Sequence, residues 1–154
     1  MKKTASRPAR LPDAQVITNV GLYYVCYRLS RYGWSASPAT RYARAFDIFA
    51  CSQDGSRTRA LQVRATSFRG PVLLGTHLDR IVGDFVVVCR SVLTETPESF
   101  LLTPGEARAV AVAVEKNGST SYWLQPRAYD RPEFREAWQR LGVEPGAVSF
   151  ERTR

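Results

Sequence analysis

Hydrophobic residues recur at helical spacing behind Asp13, and this pattern predicts the first element of the chain. The apolar positions are Val16, Val20, Tyr23 or Tyr24, Tyr27 and Leu29. Asp13 is a suitable N-cap, because its side chain can accept a hydrogen bond from the first turn. Gly33 is a suitable residue to end the helix. We therefore predict a helix between Asp13 and Gly33.

The next segments change from helical to strand periodicity. Residues 34–37 predict a short strand ended by Pro38, and residues 45–52 predict a second strand. Residues 53–56 carry a turn sequence, and residues 57–66 alternate polar and apolar side chains. The second and third strands should therefore form a hairpin. In its second arm Leu61 and Val63 should face one side, and Gln62 and Arg64 the other.

The second half of the chain predicts further strands and two helices. The sequence predicts a loop at residues 67–83 and the most apolar, central strand at residues 84–92. It also predicts a strand at 100–103 and a short extended segment at 121–125. One helix is predicted from Pro104 to about Lys116, ended by Asn117-Gly118. A last helix is predicted at about 132–141, capped by Asp130 and closed by Gly142. In that helix Phe134, Trp138 and Leu141 form the core-facing stripe.

Composition narrows the class of protein. The chain has 154 residues, the size of one domain, and a net charge of +8 that is carried almost wholly by arginine. Residues 1–12 predict a flexible basic tail, and residues 13–154 a single domain. A basic balance favours phosphate-bearing partners. Without a membrane-spanning apolar run or a secretory signal, we expect a cytoplasmic protein with no membrane partner.

Three side chains on the predicted hairpin carry candidate chemistry. Asp47 lies within a strand, where aspartate is disfavoured, and Gln62 and Arg64 share one face of the next strand. If Asp47 lies on that face too, two oxygen ligands and a cation converge. Oxygen ligands hold Mg²⁺, and a nearby cation can stabilise the transition state of phosphodiester hydrolysis. A structural Asp47–Arg64 ion pair is the equally weighted alternative.

The chain from Asn19 to Gly142 resembles small bacterial proteins of the PD-(D/E)XK nuclease-like superfamily, related to archaeal Holliday-junction resolvases. The resemblance rests on the segments NVGLYYVCYRLSRYGW, ARAFDIFACSQDGSRTRALQVRATS, GPVLLGTHLDRIVGDFVVV and SYWLQPRAYDRPEFREAWQRLG. It implies an α/β, restriction-endonuclease-like αβββαβ core with a central mixed sheet and a C-terminal helical extension. The superfamily's aspartate and glutamine match Asp47 and Gln62. Its helix glutamate falls on Leu22, and its lysine falls on Arg64.

These two departures leave the activity open. The resemblance implies a Mg²⁺- or Mn²⁺-dependent DNA endonuclease with Asp47 and Gln62 on the metal and Arg64 on the phosphate. Leu22 removes one carboxylate, so the metal would be weakly held. Arginine stays protonated and is a poor substitute for lysine in acid–base work, although it can grip a phosphate. A non-cutting DNA-binding module and a protein-interaction scaffold are therefore alternatives to a weak enzyme.

Some residues outside the motif are further candidates. Arg41 and Arg44 precede Asp47 and are predicted phosphate contacts, with solvated surface as the alternative. His77, Asp79 and Asp84 are weaker candidates for phosphate contact or a substitute carboxylate. The possible stacking platforms are Trp123, Tyr129 and Trp138, of which Trp138 is expected in the core. The partner is expected to be nucleic acid, in the first place DNA, and the resemblance also allows a homodimer.

Overall fold

The computed structural model describes residues 10–39 and 45–142. Most of the predicted tail, and both Arg41 and Arg44, lie outside the described residues. The first element is helix α1 (Ala14–Arg31), and the Asp13 side chain accepts a hydrogen bond of 3.0 Å from the Val16 N–H. Gly33 follows the helix with a φ of 88°, a left-handed conformation that favours glycine. The predicted helix and its two ends are confirmed.

The remaining elements comprise eight strands and two further α-helices within the described ranges. They are β1 (Ser35–Pro38), β2 (Ile48–Cys51), β3 (Thr58–Ala65), β4 (Val72–Gly75), β5 (Phe85–Arg90), β6 (Glu98–Leu102), α2 (Pro104–Val110), β7 (Val112–Lys116), β8 (Ser119–Leu124) and α3 (Pro126–Tyr129). Single 3₁₀ turns lie at Leu78–Arg80 and Trp138–Leu141.

Five strands form a mixed main sheet in the order β1-β2-β3-β5-β6. Strands β2 and β3 pair antiparallel as the predicted hairpin, β3 pairs parallel with β5, and β5 pairs antiparallel with β6. Every residue of β5 is buried, as its continuous apolar run predicts. The predicted α/β class with a central mixed sheet is confirmed.

The main sheet is covered on both faces. Helix α1 packs on one face, against a cluster that includes Ile48, Leu61 and Val63. The opposite face meets a second cluster that includes Val86 and Val88. That cluster also holds residues of a smaller sheet, ordered β4-β8-β7, which we call the accessory sheet. The polar side of β3 therefore faces the accessory sheet, where the candidate site lies.

The predicted helix from Pro104 to Lys116 is wrong in its second half. Helix α2 has the capping box formed by Thr103 and Glu106, but it ends at Val110, and β7 follows at once. Asn117 and Gly118 have φ values of 51° and 77°, as a two-residue hairpin turn between β7 and β8 requires. The sequence Asn-Gly is common both at helix ends and in hairpins. Here the pairing of β7 with β8 favours the hairpin.

The predicted helix at 132–141 is also wrong. After α3 the chain runs irregularly, and Glu136 has a φ of 48°. Backbone hydrogen bonds from the Leu101 N–H to the Phe134 carbonyl and from the Glu136 N–H to the Ser99 carbonyl tie this segment to β6. Pairing with a sheet edge replaces the helix. The predicted stripe is buried all the same, with Trp138 fully enclosed.

The connection between β3 and β5 differs from the predicted loop at 67–83. It contains β4 and the turn Leu78–Arg80, and the Gly75 φ of 130° marks the end of β4. The connection therefore lays a strand over the polar side of β3, which determines the surroundings of Arg64.

No helix in the described ranges is long and apolar enough to cross a membrane.

Candidate functional site

Asp47, Gln62 and Arg64 converge between the main sheet and the accessory sheet, as their alternation predicts. Asp47 lies one residue before β2, and Gln62 and Arg64 lie in β3. The Asp47 Oδ2 accepts a 2.7 Å hydrogen bond from the Val63 backbone N–H and lies 3.5 Å from the Arg64 Nη1. One oxygen of the carboxylate, Oδ2, thus contacts both the backbone of β3 and the guanidinium of Arg64.

The Arg64 guanidinium is bound to backbone carbonyls. Its Nε donates to the Leu73 carbonyl at 3.1 Å, and its Nη2 donates to the Leu74 carbonyl at 3.2 Å. Its Nη1 donates to the Val63 carbonyl at 3.0 Å. Burial lowers the pKa of Arg64, and the Asp47 charge opposes that shift. Arg64 therefore links β3 to β4, with most of its hydrogen-bonding capacity already used.

Gln62 is buried, with 6% of its surface exposed. Its Nε2 donates to the Ala45 carbonyl at 2.8 Å and to the Arg80 carbonyl at 2.9 Å. Its Oε1 is enclosed and accepts no hydrogen bond from any described residue. Rotating the amide would place Oε1 against two carbonyl oxygens, so the observed orientation is the favourable one. Gln62 thus holds two connecting segments onto β3.

The donor set does not fit a divalent cation. The available oxygens are one carboxylate, that of Asp47, and the enclosed Oε1 of Gln62. Mg²⁺ requires six ligands, and several of them are usually water molecules. An enclosed amide oxygen leaves little room for those waters. The Arg64 guanidinium beside Asp47 also repels a second cation. No group of three or more His, Cys, Asp and Glu side chains that could hold a metal occurs in residues 10–39 and 45–142.

Leu22 lies on the other side of the main sheet from this cluster. Its side chain packs against the cluster of Ile48, Leu61 and Val63, on the face of the sheet that α1 covers. Gln62 and Arg64 alternate with those residues and point the opposite way. The position that matches the superfamily's helix glutamate therefore serves the core, and it faces away from Asp47.

The other predicted residues do not join the cluster. The Asp84 Oδ2 accepts a hydrogen bond from the Ala60 N–H at 2.8 Å, and the Asp84 N–H donates to the Ala60 carbonyl, so this residue joins the starts of two strands. The His77 ring contacts the Thr76 hydroxyl, and Asp79 is exposed. Arg41 and Arg44 stay predictions, although their flanks are fixed. The Ala39 N–H donates to the Asp47 carbonyl, and the Ala45 carbonyl accepts from Gln62.

Sequence reasoning missed the partners that fix Arg64. These partners are the carbonyls of Leu73 and Leu74 in β4, a segment predicted as loop. A possible signal was the apolar run Val72-Leu73-Leu74, which follows Gly70-Pro71 and precedes Gly75. A guanidinium on the polar face of β3 needs acceptors when it is covered, and the covering strand supplies them.

Replacing Asp47 with alanine should lower the free energy of unfolding by about 1 kcal/mol. The change leaves the buried Val63 N–H without its acceptor and removes the charge beside Arg64. The Asp47 side chain is 43% exposed, so the ion pair itself adds little. Urea denaturation of Asp47→Ala against Asp79→Ala, a change at an exposed aspartate, measures the effect. A stabilised Asp47→Ala would instead indicate strain of the kind that active sites carry.

Two solved structures share the fold of this chain. No family model and no curated protein matches the sequence. The Holliday junction resolvase Hjc of Archaeoglobus fulgidus is 12% identical, with a TM-score of 0.52 over 73% of this chain and 87% of that chain. The bacterial homing endonuclease I-Ssp6803I is 15% identical, with a TM-score of 0.55 over 92% of this chain and 100% of that chain. The chain therefore has the fold of restriction-endonuclease-like nucleases.

Proposed function

We propose that this chain binds nucleic acid on a restriction-endonuclease-like fold and does not cleave it by the metal-dependent route of such folds. Two properties support the binding. The net charge of +8 favours a polyanion, and both solved neighbours are described as proteins that act on nucleic acid. Fold alone does not carry function, so the proposal depends on the chemistry of the site.

The observation that carries the proposal is the binding of Arg64. A cation that assists cleavage must be free to approach a phosphate. The Arg64 guanidinium donates to three carbonyls, lies beside Asp47 and has a side chain only 28% exposed. Withdrawing it would leave those carbonyls without this donor and Asp47 without its neighbouring cation, at a cost of about 1–3 kcal/mol for each acceptor left buried and unsatisfied. Arg64 is thus better suited to holding β4 on β3 than to gripping a phosphate.

Other arginines are therefore the candidates for phosphate contact. Arg80 is exposed, and its side chain has no partner among the described residues. Its carbonyl accepts from Gln62, which fixes the backbone at this point. Arg41 and Arg44 belong to the segment whose two flanks are bonded to Asp47 and Gln62. We propose that these three arginines form the principal duplex-binding surface.

A weak Mg²⁺- or Mn²⁺-dependent DNA endonuclease is the second candidate. The observation that favours it is the unpartnered Oε1 of Gln62, together with an Asp47 side chain that is 43% exposed. An enclosed acceptor without a donor is uncommon and calls for a ligand or an ordered water. One water molecule suffices for a single acceptor, so this observation weighs less than the engagement of Arg64.

Fluorescence anisotropy with a labelled DNA duplex and a four-way junction tests the binding. The logarithm of the association constant should fall linearly with the logarithm of KCl concentration, with a slope of about −0.9 for each phosphate contacted. The double variant Arg41→Ala/Arg44→Ala should reduce the slope by about 2. The double variant Arg31→Ala/Arg131→Ala removes the same charge elsewhere and should leave the slope nearly unchanged.

Two results would count against the proposal. An absence of binding to either DNA and to RNA at 20–50 mM KCl would favour the protein-interaction scaffold. Equal loss of slope in the two double variants would mean that overall charge, rather than a defined surface, governs the binding. Circular dichroism of each variant confirms that the fold is intact, so a loss of binding is not mistaken for unfolding.

A further inference from the structure

We propose that the outer face of the accessory sheet binds an unpaired segment of nucleic acid, with one base stacked on Trp123. The class of ligand rests on the proposed function, but the surface is separate from the Asp47–Arg64 cluster. Leu73, Trp123 and Val112 are direct cross-strand neighbours, one on each of β4, β8 and β7. Leu73 and Val112 are 46% and 42% exposed. An aromatic ring therefore lies between two exposed apolar side chains.

The indole of Trp123 is held in place on this face. Its Nε1–H donates to the Ser121 hydroxyl at 2.9 Å, two residues earlier on the same side of β8. The neighbouring Leu124 alternates to the inner side and is fully buried. The ring is partly exposed and its polar atom is already satisfied. A fixed aromatic ring of this kind offers a stacking surface at little cost in entropy.

Basic side chains lie beside both ends of β7. An open groove of about 400 Å³ adjoins Val112 and is lined by Arg69, Gln125, Pro126 and Arg127. Arg127 is exposed, and no described residue pairs with it. The Arg69 side chain is 60% exposed, and its Nε lies 3.3 Å from the Asp130 Oδ2.

The other end of β7 carries Lys116. It shares its side of β7 with Val112 and Val114, about 13 Å along the strand from Val112. Glu115 alternates to the other side. The face thus combines an apolar stacking row with cations beside both ends of β7, and no acidic side chain of β7 lies on it.

This combination favours an unpaired nucleic-acid strand over the other occupants. Bases in a duplex are stacked on one another and do not present a free π-face, whereas an unpaired base does. A second copy of the chain is the natural competitor for an exposed apolar sheet face. Two-fold pairing of such faces would place the cationic set Arg69, Arg127 and Lys116 of one copy over the same set of the other copy. Like charges then oppose one another, on a chain that already carries +8.

Tryptophan fluorescence reports directly on this surface. The chain has three tryptophans, and Trp34 and Trp138 are 2% and 0% exposed. Quenching by an added oligonucleotide therefore arises chiefly from Trp123. We expect a 12-nucleotide oligo-dT to quench the wild-type protein, and a blunt duplex of the same length to quench it much less.

Binding of labelled oligo-dT to four variants of the full chain tests the assignment. Trp123→Ala should weaken binding about ten-fold or more, and Trp123→Phe should recover much of it, because a ring restores stacking. Arg127→Ala should weaken binding and lower the salt slope by about 1. Arg31→Ala, which removes a charge from α1 on the far side of the main sheet, should leave both unchanged.

The outcomes separate this inference from the proposed function. Wild-type affinity for oligo-dT in both Trp123→Ala and Arg127→Ala would overturn the inference, even if duplex binding were normal. So would duplex binding without any oligo-dT binding, and in that case the proposed function would stand. No binding of either DNA would overturn both. Concentration-dependent dimers that Trp123→Ala dissociates, without oligo-dT binding, would assign the face to a second copy.

Discussion

Replacing Arg90 with methionine is expected to lower the free energy of unfolding by about 3 kcal/mol. Arg90 is 6% exposed, and its Nε and Nη1 bind Glu98 at 2.6 Å and Asp130 at 2.8 Å. Removing one partner of a buried ion pair costs about 3–5 kcal/mol. The lower end applies here, because Arg135 binds both carboxylates as well. Methionine keeps an apolar stem near the ring of Phe100, over which the guanidinium lies.

The same substitution at Arg131 provides the matched control. Arg131 binds Glu133 at 2.8 Å, but the two side chains are 51% and 50% exposed. Exposed pairs contribute about 0–1 kcal/mol, so Arg131→Met should change little. Urea titrations of the two variants provide the comparison. Equal losses in both would mean that burial does not set the strength of these pairs.

The cluster of Arg90, Glu98, Asp130 and Arg135 also ties the main sheet to the segment that follows α3. Arg90 lies on β5 and Glu98 on β6, whereas Asp130 follows α3 and also binds Arg69 beside the groove. Hydrogen bonds from Arg90 and Arg135 keep the pKa of Glu98 below its usual value. Burial raises the pKa of Asp130, but the hydrogen bond and charge of Arg90 together with hydrogen bonds from Arg135 and Arg69 lower this pKa overall. Loss of Arg90 should therefore loosen the support of the proposed stacking face.

Replacing Gly21 with alanine is expected to lower the free energy of unfolding by about 2 kcal/mol. A Cβ at this position would lie 2.4 Å from the Ala65 Cβ, where α1 packs closely against β3. Overpacking costs about 1–3 kcal/mol, and the upper end applies to so close an approach, so about 2 kcal/mol remains after the gain in helix propensity of about 1 kcal/mol. Thermal and urea unfolding measure the change.

Gly105 provides a control with the opposite expected sign. It lies in α2 with only the Thr103 hydroxyl at 4.0 Å from an added Cβ, so Gly105→Ala should be neutral or stabilising. Adding Ala65→Gly to Gly21→Ala should recover part of the lost stability by removing the colliding carbon. If Gly21→Ala instead stabilised the protein as Gly105→Ala does, the close packing of α1 on β3 would be wrong.

The sequence predicts the first half of the fold well because local and long-range preferences agree there. Asp13 and Gly33 end a helix whose apolar positions meet the sheet, and the turn at 53–56 joins β2 and β3, which pair antiparallel. Alternation correctly assigned Gln62 and Arg64 to one side of β3. In this half each residue's intrinsic preference is also its preference in the folded domain.

In the second half β5, β6 and β8 were predicted, but the helical predictions at 111–116 and 132–141 were wrong because tertiary contacts override local signals. Asn117-Gly118 suits a helix end as well as a hairpin, and only β8 resolves the choice. At 132–141 the helical spacing is present, yet Glu136 binds Arg28 and the Trp138 indole instead. Those contacts join segments more than 100 residues apart, or require a left-handed backbone, and no local pattern reports them.

The candidate site could be located from sequence, but its chemistry could not be fully assigned. Spacing and alternation brought Asp47, Gln62 and Arg64 together correctly. Two of the three carbonyls that bind Arg64 belong to β4, a segment that was predicted as loop. The resemblance to PD-(D/E)XK nucleases implied a metal, whereas the geometry of the donors weighs against one. The fold is therefore better supported than the activity.

Nicking of supercoiled plasmid by the wild-type protein and by Asp47→Ala tests the central claim most directly. The reactions contain Mg²⁺ or Mn²⁺ at protein concentrations that saturate DNA binding, with EDTA as the blank. We predict that the wild-type protein binds the plasmid and produces no more nicked circles than Asp47→Ala or the blank. Metal-dependent nicking by the wild-type protein that Asp47→Ala abolishes would contradict the account and establish Asp47 in a working cleavage site.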